Sequence, residues 1–323
     1  MPTTRRTFLN IVASSTAALT TAWPALAQIK GLEIMAPAGP GGGYDQLARA
    51  MQQVLQSDGL ASSVQVQNVP GAGGTIGLAQ LVNTKKGRAG NLMVCGFGLV
   101  GAVLTNKSPV NLAQATPIAR LQGEYQPLVV AASSPIKTID DLIKKFKSEP
   151  GSVSWGGFAL GSPDHVLTAM IVQAAGGDVA KMNYIVAGAG GEMLAQVMGG
   201  HITVATGGYN EFEAQIKAGK LRALGISSPE RLPGIDVPTF KEQGVDVVLA
   251  NWRGVVAPPN IKAEDKRVLE EAVAKVAKSE AWKKILNERG QVDLYMPAAE
   301  FGAFIKEEQS RIETLMKQSG MIN

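Results

Sequence analysis

From Lys30 onward the hydrophobic and polar positions repeat one phrase: a short apolar run, a glycine-rich turn, then an amphipathic segment. Leu32–Ala36 is an apolar run of strand length, followed by Pro37-Ala38-Gly39-Pro40-Gly41-Gly42-Gly43-Tyr44. Beyond it Leu47, Met51, Val54 and Leu55 recur at helical spacing, and Asp45 is placed to cap that helix. Val64–Val69 alternates as a half-buried strand does, runs into Pro70-Gly71-Ala72-Gly73-Gly74, and gives way to a helix over Thr75–Val82. Leu92–Cys95 leads through Gly96-Phe97-Gly98 to a third, weaker helical segment.

The phrase returns in the second half. Val153–Trp155 precedes Gly156-Gly157-Phe158-Ala159-Leu160-Gly161, and Ser162-Pro163 reads as the N-cap and first-turn proline of a helix over Asp164–Ala175. Asn183–Val186 leads to Gly188-Ala189-Gly190-Gly191 and a helix over Glu192–Met198. Thr203–Ala205 leads to Thr206-Gly207-Gly208-Tyr209-Asn210 and a helix over Glu211–Ala218. Strands alternating with helices predict an α/β protein whose sheets are mostly parallel and flanked by helices. Leu128–Ala132 and Val247–Val256 read as two extended connections. The charged helical stretch Glu264–Asn323, with its stripe of Val268, Ala272, Val276 and Ala277, is best placed back on the first group. Two lobes follow: residues 28–126 plus 253–323, and residues 127–252, with a cleft between them.

The first 27 residues read as an export signal. Thr4-Arg5-Arg6-Thr7-Phe8-Leu9-Asn10 opens it, Ile11–Ala22 is mildly apolar, and Ala25-Leu26-Ala27 ends it with small residues at the cleavage positions. The arginine pair before Phe8-Leu9 favours the twin-arginine route over the general secretory one. The mature chain would begin at Gln28, in the periplasm. No cysteine follows to take a lipid anchor, and no other apolar run approaches the ~20 residues that cross a bilayer.

Composition narrows the chemistry. Across 323 residues the formal net charge is only +4, and the cations are scattered without interleaved aromatics, which argues against nucleic acid as a partner. One cysteine, Cys95, excludes an internal disulfide, and it reads as a small buried apolar residue. With two histidines, His165 and His201, a metal centre is not expected, nor is any cofactor. Neither Gly39-x-Gly41 nor Gly71-x-Gly73 completes a dinucleotide motif, because Tyr44 and Ile76 stand where the third glycine belongs. No loop carries the Gly-Lys-Ser/Thr of a phosphate loop.

In an open α/β sheet, ligands bind beyond the carboxyl ends of the strands, where helix N-termini offer free N–H groups and partial positive charge. Glycine loops let the backbone approach a ligand closely. The expected ligand set on the first lobe is therefore Ala38, Gly41, Gly42, Gly43, Tyr44 and Asp45, with Gly73 and Gly74 from the second loop and Phe97 from the third. The second lobe would add Ser162, His165, Gly190 and Asn210. Arg253, in Asn251-Trp252-Arg253-Gly254 at the proposed hinge, can close bidentate on a carboxylate or bridge the lobes as a salt bridge. Ser162 and His165, three residues apart, would also serve a secreted hydrolase, although capping alone explains the Ser-Pro-Asp start. No Gly-x-Ser-x-Gly elbow exists, and His201 reads as a surface residue at a turn.

The two opening loops, Pro37–Asp45 and Asn68-Val69-Pro70-Gly71-Ala72-Gly73-Gly74-Thr75-Ile76-Gly77, resemble those of the Bug/TctC receptors of tripartite tricarboxylate transporters. The resemblance extends through Gly161-Ser162-Pro163-Asp164-His165, Gly188-Ala189-Gly190-Gly191 and Asn251-Trp252-Arg253-Gly254. It implies a periplasmic-binding-protein-like (type 2) fold and a monomeric, non-catalytic receptor. Such a receptor closes on a small carboxylate and delivers it to membrane permease subunits, or reports it to a sensor kinase. The Asn-Trp-Arg-Gly stretch is similar to the tricarboxylate, citrate-type branch. The turn Lys85–Leu92 departs from the Pro-Asp-Gly-Tyr-Thr-Leu-like turn of that family.

Overall fold

The computed structural model describes residues 29–188 and 190–322. The export signal, its Ala27 cleavage site, Gln28 and Ala189 lie outside the described residues. The chain builds two sheets. The six-stranded sheet has the order β11-β4-β10-β3-β1-β2 and the five-stranded sheet the order β7-β6-β8-β5-β9.

The first sheet starts as the repeated phrase predicts. Strands β1 (Leu32–Ala36), β2 (Val64–Asn68) and β3 (Asn91–Gly96) pair in parallel, with β1 in the middle. Helix α1 (Gly43–Ser57) turns Leu47, Ala48, Met51, Val54 and Leu55 inward, the apolar stripe of an amphipathic helix. Helices α2 (Thr75–Asn83) and α3 (Phe97–Thr105) are shorter and more apolar. Strand β4 (Thr116–Tyr125) then runs straight into β5 (Pro127–Ala131) of the other sheet, with Gln126 alone between them. That is the first crossing.

The five-stranded sheet takes β5, β6 (Ser154–Gly157), β7 (Asn183–Val186), β8 (Val204–Thr206) and β9 (Leu221–Ile226). Its helices are α4 (Ile139–Ser148), α5 (Pro163–Ala174), α6 (Gly190–Met198) and α7 (Tyr209–Lys217). The second crossing is β10 (Ala250–Ala257), which returns to lie between β3 and β4. Helices α8 (Ala263–Lys278) and α9 (Glu280–Glu288), strand β11 (Val292–Pro297) and the long α10 (Ala298–Gln318) complete the chain.

Three local expectations change. The sheets are mixed rather than mostly parallel, because the crossing strands enter against the grain: β10 is antiparallel to β3 and β4, and β5 is antiparallel to β8 and β9. The C-terminal stretch is not wholly helical, since β11 pairs antiparallel with β4 at the sheet edge. Asp45 is not the cap of α1. Gly42 stands at that position with no side-chain cap, and Asp45 lies in the first turn.

The two halves are packed together. One apolar cluster includes Met35, Leu78 and Leu99 around the first sheet and Leu128, Trp155 and Leu167 around the second. Helix α10 spans both. Glu308 on it accepts from the Trp252 indole at 3.2 Å, and Gln318 meets Gln173 of α5 at 2.7 Å. Trp252 is thereby a core residue, edge-on to Phe301 and Phe304.

Candidate functional site

The carboxyl ends of β1, β2 and β3 point their following loops at the other half of the molecule. In the β2–α2 loop, Gly73 (φ +64°) and Gly74 (φ +98°) adopt left-handed backbone that glycine alone takes without strain. A Cβ on Gly73 would stand 2.5 Å from the Ala102 Cβ, so the loop lies directly on α3. Pro37, Ala38, Gly39 and Tyr44 of the first loop, Pro70–Gly74 of the second and Gly98 of the third border a cavity of about 510 Å³. The opposite wall is Ala159, Leu160 and Ser162 from the β6–α5 loop. The halves touch beside it: a Cβ on Gly101 would fall 2.1 Å from the Gly161 carbonyl oxygen.

Of the expected ligand set, Ala38, Tyr44, Gly73, Gly74 and Ser162 border this cavity. Tyr44 is fixed by its hydroxyl, which accepts from the Leu99 N–H at 3.0 Å, and burial pushes its phenol well above the usual range. Asp45 faces inward and braces the loop instead. It accepts from the Gly41 N–H (2.8 Å), the Asn68 amide (2.9 Å) and the Arg49 guanidinium (2.9 Å). Those bonds, Arg49 first, hold its carboxyl down at about 2. Gly42 donates to the Gly39 carbonyl in that turn with an ordinary φ of −71°. Phe97 is fully buried in the core. Gly190 opens α6, and a Cβ added there would meet nothing within 4 Å. Asn210 is a clasp between the halves, its amide donating to the Arg289 carbonyl.

Ser162 and His165 do not form a nucleophile–base pair. The Ser162 hydroxyl accepts from the His165 backbone N–H and donates to Asp164, which is helix capping. The His165 ring accepts from the Gly161 N–H at 3.2 Å through Nδ1 and stacks on Tyr184 at 4.1 Å. Burial lowers its pKa to about 4, so it is neutral. Cys95 is buried, and burial raises its thiol.

Arg253 lies beside the cavity, near Tyr44. Its guanidinium packs on Gly43, where an added Cβ would come within 2.8 Å of Nη2. Glycine at 43 is therefore the seat of the arginine. Nη2 donates to Glu124 Oε1 at 2.9 Å, and the Asn251 amide donates to the same oxygen at 3.0 Å. Both partners belong to the six-stranded sheet, so this ion pair is not a bridge between sheets. The other Glu124 oxygen nevertheless abuts Gly208 across the cleft.

Sequence reasoning missed the acids that meet here. Asp164, buried at the start of α5, accepts from the Phe158 N–H, the Ser162 hydroxyl and the Gln126 amide. Glu211, in the first turn of α7, is exposed to the cleft with its carboxylate against Gly207. Desolvation above all, with a smaller contribution from Glu124, lifts Asp164 to about 6. Poor solvation in the cleft, then Asp164 and Glu124, lift Glu211 to about 7 against the pull of Arg253. Glu124 lies near the end of β4 and Gln126 is the first crossing itself, and their partners are too distant in sequence to be read from pattern.

Two sheets joined by crossing strands, with glycine loops facing each other over a cavity, define a two-lobed solute-binding protein. The chain belongs to the family described as the tripartite tricarboxylate transporter family receptor, also called TctC, which it matches over residues 47–321. It is 27% identical to Protein BugT of Bordetella pertussis over 297 residues, covering 90% of this chain and 89% of that one. A TctC solute binding protein from Polaromonas, solved without ligand, superposes with a TM-score of 0.75 at 27% identity, covering 90% of this chain and 98% of that one. A Rhodopseudomonas palustris protein solved with adipate shares the fold, with a TM-score of 0.73 at 22% identity, covering 92% and 98%. The family is one of transport receptors rather than enzymes, and among the described residues no helix is long and apolar enough to cross a membrane.

Proposed function

We propose that this chain captures a small organic carboxylate in the interlobe cleft and delivers it, as a monomer in the periplasm, to the membrane subunits of a tripartite transporter. The lobes are residues 28–126 plus 253–323 and residues 127–252, and they close about the two crossings. The observation that carries this reading is the 510 Å³ cavity walled by the Pro37–Tyr44 and Pro70–Gly74 loops on one side and Ala159–Ser162 on the other. The N-terminal ends of α1, α2, α3 and α5 border it through Tyr44, Gly74, Gly98 and Ser162, and their partial positive charge suits a carboxylate better than any neutral solute. The adipate held by a protein of the same fold agrees. A tricarboxylate is not favoured over smaller acids, because Arg253 already shares its charge with Glu124.

Thermal unfolding of the mature protein against a panel of carboxylates tests the assignment. A ligand at a hundredfold over its Kd adds about 2.7 kcal/mol of apparent stability, a readily measured rise in midpoint. A response to sugars or nucleotides with none to any carboxylate would overturn it. Export is read from the same secreted material: its N-terminal residue should be Gln28, and an unprocessed Met1 would remove the signal.

A further inference from the structure

Gly290 ends α9 in left-handed backbone, with φ +58°, and its N–H donates to the Asn287 carbonyl at 3.1 Å. A helix stop of this kind explains a glycine by itself. It does not explain how close the other half of the molecule comes. A Cβ at Gly290 would stand 2.5 Å from Asn210 Oδ1 and 2.6 Å from Nδ2, so the carboxamide from α7 lies on the bare α-carbon. Gly200, Gly219 and Gly320 follow α6, α7 and α10 in the same left-handed backbone, and there an added Cβ would meet nothing within 4 Å.

Two further observations fall on the same contact. Asn210 Nδ2 donates to the Arg289 carbonyl, at the end of α9, where the last carbonyls have no donor within the helix. Asn210 is also the second residue of α7, so the positive end of that helix meets the negative end of α9 across the cleft. The chain of bonds continues beyond Arg289. Its guanidinium donates to the Gln46 carbonyl of α1 at 2.9 Å, and the Gln46 amide donates to the Gly41 carbonyl at 2.9 Å. Gly41 belongs to the glycine loop whose Ala38, Gly39 and Tyr44 border the cavity.

We propose that Asn210, seated on Gly290, is a positioning residue that holds the lobes shut over the solute and steadies the first glycine loop through Arg289 and Gln46. This rests on the reading of interlobe capture but not on which carboxylate is captured. The contact joins the two lobes, so it forms after the solute has entered. It therefore governs release rather than entry.

Stopped-flow kinetics with adipate and malate as probes test this. Asn210→Ala should release ligand about three- to tenfold faster, the effect of one lost hydrogen bond, with the association rate unchanged. Gly290→Ala should do the same. Gly219→Ala forces alanine into the same backbone away from the contact, so it should lower the unfolding midpoint by a similar amount and leave release alone. Combining Asn210→Ala with Gly290→Ala should cost no more than Asn210→Ala, because the new Cβ then has room. Additive losses, or equal effects of Gly290→Ala and Gly219→Ala on release, would overturn the proposal. A ligand-free arm decides it independently of either probe. Asn210→Cys combined with Gly290→Cys, treated with oxidised glutathione, should form an internal disulfide, and failure to form it would also overturn the proposal. Silence toward every carboxylate while that disulfide forms would overturn the carboxylate reading and leave the contact between the lobes standing.

Discussion

At the scale of single residues, the contact between Gly43 and Arg253 separates a binding role from a structural one. Arg253→Gln removes the guanidinium altogether and leaves Glu124 without its cation at a position where both side chains are largely covered. The uncompensated carboxylate should cost the ligand-free protein about 1–3 kcal/mol. If the arginine also grips the ligand carboxylate, affinity should fall by a further 2–5 kcal/mol or so. Gly43→Ala isolates the second effect. Its new Cβ would collide with Nη2 at the flexible end of Arg253, which can shift off Gly43 with the cation kept beside Glu124, so folding should change little while the guanidinium leaves its seat. Titration and thermal unfolding of both variants decide between the roles. Full affinity in a folded Gly43→Ala protein would assign Arg253 to the Glu124 pair alone. The arginine was legible in sequence because a lone cation in an apolar strand needs a partner. Glu124 was not, since it belongs to a strand with no glycine turn after it and its partner lies far along the chain.

At the scale of elements, the loops show which glycines the fold requires and which only the pattern suggested. Gly73 requires its residue type twice over: φ is +64°, and any side chain would run into Ala102 of α3. Gly73→Val should therefore destabilise the protein by about 1–3 kcal/mol from the backbone alone, with more from the collision. Gly42 has neither constraint, with its nearest neighbours at 3.4 and 3.7 Å, so Gly42→Val should fold almost normally. Denaturant unfolding of the pair checks the contrast, and equal losses would refute it. The strand–loop–helix phrase placed these turns correctly because apolar runs and glycine clusters are local signals. Strands β4, β9 and β11 escaped it. β11 is an edge strand, mostly half-exposed, embedded between charged helices. β4 carries half-buried polar residues because it runs between β10 and that edge. Their pairing is set by tertiary context, which no window of sequence contains.

At the scale of the whole molecule, capture depends on how closely the two halves meet. One close approach across the cleft is backbone against backbone, Gly101 of α3 beside Gly161 before α5, and it needs a glycine in the middle of a helix. Such a glycine weakens its helix by roughly 0.5–1 kcal/mol relative to alanine, so it must gain something elsewhere. Closure is what it permits. In Gly101→Val the Cβ would stand 2.1 Å from the Gly161 carbonyl, a distance that no rotamer relieves because both atoms are tied to backbone. The halves must part there, although α3 itself should tolerate the side chain. We therefore expect a folded protein that binds its carboxylate at least tenfold more weakly, equivalent to about 1.4 kcal/mol. Its scattering radius should stay at the ligand-free value when ligand is added, where the parent chain contracts. Unchanged affinity together with normal contraction would show that the halves close elsewhere and that the Gly101–Gly161 contact is incidental to capture.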